Sequence, residues 1–197
     1  MTYIDEDRVE SIAGRIRSEM GYSNSPFVEA KTFFFKAKKR LGFSYLWPSD
    51  LSTPEYDANN NRISIPLSVI SGAEGAHGGR HRMTIFHECA HAFLGHKHVK
   101  YRAASGNLAE KYSRTIRKDE QEAKRLAAAL MAPFNLIDPT WTAHDIALKF
   151  GMSLQAAEIR LTQFQEYTRK KSGGPRPLQK NFDDLLAMLE KNEKKKR

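Results

Sequence analysis

Arg82-Met83-Thr84-Ile85-Phe86-His87-Glu88-Cys89-Ala90-His91-Ala92-Phe93-Leu94-Gly95 is the stretch on which the reading of this chain turns. On an α-helix, His87 and His91 lie about 40° apart around the axis and roughly 6 Å along it. Two imidazoles so placed converge on one metal ion from a rigid support. Glu88 follows the first imidazole, where its carboxylate reaches a water beside the metal rather than the metal itself. The spacing is that of two histidine ligands and a glutamate general base. Ile85, Phe86, Cys89, Ala90, Phe93 and Leu94 give the helix an apolar flank. Gly95 suits a left-handed residue after the helix, and His96 and Lys97 place positive charge at its end. Cys89 points away from the histidines and reads as a small packing residue.

A catalytic zinc needs a third protein ligand and one open position. The candidate lies in Asp119-Glu120-Gln121-Glu122-Ala123-Lys124-Arg125-Leu126-Ala127-Ala128-Ala129-Leu130-Met131-Ala132-Pro133. Asp119 and Glu122 form a capping box opening this helix. Glu120 shares a face with Ala123, Ala127 and Leu130, small enough for close approach to the metal helix. Glu122 lies about 200° around the axis from Glu120, so both cannot bind one ion. The predicted third ligand is Glu120.

With these two motifs, His87-Glu88-Cys89-Ala90-His91 and Glu120-Gln121-Glu122-Ala123 followed by Leu126 to Pro133, the chain resembles the ImmA/IrrE family of zinc metallopeptidases. The resemblance runs roughly from Phe27 to Phe164. It implies that His87, His91 and Glu120 bind Zn2+, that Glu88 is the general base, and that the substrate is a helix-turn-helix transcriptional repressor. Lys124 stands where the family usually has Asn or Asp, and Leu126 where Phe is common. A polar neighbour of the metal is therefore either missing or supplied from another position.

Upstream, Val9, Ile12, Ala13, Ile16 and Met20 predict an amphipathic helix over residues 5–20, ended by Gly21. Ser25-Pro26 reads as the start of a second helix, which carries Phe33-Phe34-Phe35 into a core and stops at Gly42. Strands are predicted at 43–47, 55–57 and 62–65, with Pro66 marking the third as an edge. An extended peptide could add to such an edge, or the edge could have no guest. Residues 71–79 read as a glycine-rich loop without phosphate-cradling residues. His77 and His81 read as surface or first-turn histidines.

Downstream, Thr142 to Asp145 opens a short helix, Gly151-Met152-Ser153 makes a turn, and a further helix carries Leu154, Ala157, Leu161 and Phe164 inward. This composition suits a helix-turn-helix that reads DNA, or a plain pair of helices buttressing the core. Gln155, Glu158, Arg160 and Gln163 would face outward. Ser172 to Pro177 is a linker, and Phe182, Leu185, Leu186 and Leu189 form one short helix. Oxyanion donors are sought among Tyr101, Tyr112 and His98, none singled out by a motif.

The net charge of +9 favours an acidic partner or nucleic acid. Much of it lies in Lys36 to Arg40, Arg169 to Lys171 and Lys194 to Arg197, runs that suit a solvated surface. An acidic N-terminus, no membrane-length apolar run and the lone Cys89 predict a cytoplasmic protein.

The expected fold is α+β: a helix-rich, zincin-like metallopeptidase core with a small three-stranded sheet, then a helix-turn-helix-like extension. The expected domains are 1–138 for the peptidase, 139–168 for the helical extension and 169–197 for a basic linker and short C-terminal helix. The expected function is that of a gluzincin-like, zinc-dependent endopeptidase that cuts a repressor and relieves repression, with weak or indirect DNA association and no membrane. The alternative is a non-catalytic zinc-binding regulator or toxin–antitoxin component that acts by binding protein or DNA.

Overall fold

Helix α1, Glu6–Glu19, opens the chain: Asp5 caps it by accepting from the Arg8 N–H, and Val9, Ala13 and Ile16 are buried. The computed structural model describes residues 5–49, 52–75, 77–97 and 107–174, with backbone alone over 107–113. After α1 come α2 (Ala30–Leu41), β1 (Ser44–Leu46), β2 (Glu55–Asp57) and β3 (Arg62–Ser64). Helices α3 (Leu67–Ala73), α4 (Gly79–Leu94), α5 (Asn107–Met131), α6 (Ala143–Phe150) and α7 (Leu154–Lys171) follow. The fold is thus helix-rich α+β with one small mixed sheet, as the periodicity predicts.

Helix α4 sits among its neighbours, packing on α2, α3, α5 and β2. Its Ile85, Phe86, Cys89 and Ala90 are wholly buried, and Phe33 of α2 stacks on Phe86 with ring centroids 4.5 Å apart. Phe33 and Phe34 belong to the core, while Phe35 lies at its margin against Tyr45 and Trp47.

The sheet order is β1-β3-β2, with β1 parallel and β2 antiparallel to β3. The third strand is therefore central and not an edge. Pro66 stands outside the ladder as the N-cap of α3, so its missing N–H costs no strand bond. The edge that faces α4 is β2.

Three further expectations are corrected. Helix α2 begins at Ala30, because the Glu29 carboxylate accepts from the N–H groups of Lys31 and Thr32, while the Ser25 carbonyl is taken by Arg17. Residues 67–73, partly read as loop, are helix α3. There Gly72 is needed for space, since a Cβ would meet the His81 ring at 2.6 Å. Helix α5 runs through Asp119, so no capping box exists at Asp119 and Glu122.

Three buried arginines bond carbonyls at helix ends, which lack intrahelical donors, or in the connection between α1 and α2. Arg17 donates to the carbonyls of Leu130, Tyr22 and Ser25. Arg82 donates to Gly151 at 2.7 Å and Ala73 at 2.8 Å. Arg160 donates to Ala132 at 2.8 Å and pairs with Glu10 and Glu6 of α1.

Helix α6 is capped by a true capping box of Thr142 and Asp145 and ends at Gly151 with φ 65°. Ser153 Oγ accepts from the Ala156 N–H at the start of α7. Gln155 and Glu158 are exposed and Gln163 half-buried, but Arg160, expected to face outward, is fully buried.

The chain divides into two compact units, one up to Phe164 and one from Gln165. Within the second, Lys171 Nζ lies over the Tyr167 ring. No helix among the described residues is long and apolar enough to cross a membrane. The helix expected around Phe182 to Leu189 lies outside the described residues, as do Tyr101, His98 and the Tyr112 side chain.

Candidate metal centre

Helix α4 presents His87, Glu88 and His91, and α5 brings Glu120 across from the other side. The close approach rests on small residues: Ala90 on α4, and Ala123 and Ala127 on α5, are wholly buried. His87 Nε2 and His91 Nε2 stand 3.1 Å apart. Glu120 places one carboxylate oxygen 3.2 Å from His87 Nε2 and the other 3.4 Å from His91 Nε2.

These separations test whether an ion fits. A tetrahedral zinc with bonds of about 2.0–2.1 Å has donor–donor edges of about 3.3 Å. The three spacings match that edge, and the donors are the nitrogen and oxygen atoms such an ion takes. His87, His91 and Glu120 could therefore hold one metal ion between them.

Glu88 does not join the triangle. It is 5% exposed, and its carboxyl is pushed up to about 8, first by burial and then by the Glu120 carboxylate. The backbone N–H of Tyr56 opposes this by donating to it. Strand β2 thus holds the Glu88 side chain in place. A cleft of about 600 Å³ opens over these groups, walled by Thr53 to Asp57, Asn59 and Ile116. Cys89 is wholly buried, and burial pushes its thiol up.

A second group lies directly behind the first. Gly95, with φ 64°, reverses the chain, and the His96 N–H bonds back to the His91 carbonyl at 3.1 Å. The two rings meet with Nδ1 atoms 2.9 Å apart. His96 Nε2 faces Glu122 Oε2 at 3.6 Å and Asp119 Oδ1 at 3.9 Å. Sequence reasoning gave His96 to the helix end and the two carboxylates to a cap. The signal was the Gly95 reversal, which a helical wheel does not represent. Lys124 is exposed, so it is not the polar neighbour of the metal.

A helix with two imidazoles and a buried carboxyl, met by a carboxylate from a second helix, is an arrangement that metal-dependent hydrolases use. Residues 69–162 match the Peptidase_M78 family model, described as the IrrE N-terminal-like domain. The matched stretch holds both motifs and is similar to this ImmA/IrrE-type peptidase family, and that likeness implies a metal ion. No curated protein and no solved structure matches the chain in the corresponding comparisons.

Proposed function

We propose that this protein is a cytoplasmic zinc-dependent endopeptidase that cuts a helix-turn-helix transcriptional repressor and so relieves repression. The observation that carries the reading is the triangle of His87, His91 and Glu120 donor atoms beside the buried Glu88 carboxyl. His87 and His91 offer neutral Nε2 atoms, and Glu120 offers carboxylate oxygen. When bound, zinc supplies a Lewis acid that polarises the scissile carbonyl and makes water easier to deprotonate. Glu88 accepts a proton from the attacking water and returns it to the departing amine. Its raised affinity for a proton suits that exchange near neutral pH. A cation in the triangle would favour its ionised form and bring it toward the base it must be.

The substrate would lie extended in the cleft along β2, the sheet edge beside α4. The repressor as substrate class comes with the family resemblance. Residues 1–138 would carry the chemistry and 139–168 would help to dock the substrate.

The second reading is a zinc-binding regulator or toxin–antitoxin component that works by binding alone. The net positive charge favours it, while the inward-facing Arg160 leaves residues 154–164 of α7 without the outward cation that reading would use. Incubation with the repressor encoded beside the gene, with and without a chelator, separates the two. A chelator-sensitive cut supports the peptidase; an intact repressor in a stable complex supports the binder.

A further inference from the structure

We propose that His96, backed by Glu122 and Asp119, is the residue that positions His91 as a metal ligand. The inference rests on the zinc reading above and deepens it. For His91 to offer Nε2 to an ion, its proton must sit on Nδ1. That Nδ1 lies 2.9 Å from His96 Nδ1, so His91 donates and His96 accepts. Neutral His96 then carries its own proton on Nε2.

Two carboxylates face that nitrogen, Glu122 at 3.6 Å and Asp119 at 3.9 Å. These distances exceed a direct hydrogen bond, but negative charge there favours a proton on Nε2. The order is carboxylates, His96, His91, metal, and each link selects the tautomer of the next. His91 is 2% exposed, His96 7% and Glu122 5%, so bulk water has little access to replace the ring. The opposite tautomer of His91 would point an N–H at the ion.

The same three side chains could instead hold a second cation. Lys118 Nζ already stands 3.5 Å from Glu122 Oε1 and supplies positive charge there. The geometry therefore favours the positioning role.

The test uses the full chain and its affinity for zinc alone, measured against a chromogenic chelator, with the visible spectrum of the cobalt-substituted protein as a second readout. His96→Leu should weaken zinc binding about 10- to 100-fold and shift the cobalt bands. His96→Asn, whose Oδ1 replaces the Nδ1 acceptor, should restore most of the affinity. His96→Gln, whose amide extends to the Nε2 place, should not. Equal affinity across wild type and all three variants would overturn the assignment. Should His96→Leu fail to fold, equal affinity of the Asn and Gln variants has the same force. Two ions in wild type and one in His96→Leu would overturn it in favour of a second metal. Zinc binding no stronger in wild type than in a His87→Ala/His91→Ala variant would instead sink the metal reading itself.

Discussion

Glu88 shows how one residue is given its chemistry by its surroundings. Burial and the Glu120 charge raise its proton affinity, and the Tyr56 N–H holds it beside the donor triangle. Glu88→Gln should keep zinc and lose repressor cleavage by about 10²- to 10⁴-fold, measured by following the cleaved fragments. Undiminished cleavage would remove Glu88 from the mechanism. Cys89 carries the opposite lesson, a thiol buried among apolar groups and so kept protonated. It should resist a thiol reagent in the native protein and react fully after denaturation. The pairing of His87 with His91 was legible because four-residue spacing on a helix is local geometry. His96 was not, because its place depends on where the chain goes after Gly95.

At the scale of elements, caps and close approaches decide boundaries. Burial raises the Glu29 carboxyl, but hydrogen bonds from the Thr32 side chain and the Thr32 and Lys31 amides, with the Lys31 charge, outweigh it. The net result is a value below the ordinary 4.5. Its contribution to folding is present above the unfolded-state value and lost as pH falls through the lower folded one. Glu29→Gln should therefore cost stability at neutral pH, with the difference from wild type vanishing in acid, as read from urea denaturation. Helix α3 escaped sequence reasoning because Gly72 is there to admit the His81 ring, a tertiary demand that reads locally as a loop signal. The α4–α5 approach was legible, because a stripe of alanines on the Glu120 face has few other uses. Ala127→Leu should overpack it, costing about 1–3 kcal/mol and weakening zinc binding with every ligand intact. Ala128→Leu, half-buried on the same helix, should do much less, and titration calorimetry with denaturation curves would compare them.

Across the whole molecule, the buried arginines hold the framework on which the site is built. Arg160 joins α7 to the end of α5 and to the carboxylates of α1. Arg160→Ala would leave Glu10 without its arginine beside a cavity, while Glu6 keeps Arg125, and should cost about 3 kcal/mol in chemical denaturation. A surface change such as Gln155→Ala should cost less than about 0.5 kcal/mol. The sequence pattern could not show this, since an arginine at a helical position defaults to solvent until its carbonyl partners are known. The α+β class was legible because hydrophobic period and turn residues carry it. The strand order was not, because Pro66 marks the same break whether it ends an edge or a central strand. The central claim is that two helices bring three donors around one ion. Zinc content of the purified full chain by mass spectrometry tests it most directly, beside the His87→Ala/His91→Ala variant. The account predicts about one zinc per chain in wild type, removable by a chelator, and none retained in the variant; equal zinc in the two proteins would contradict it.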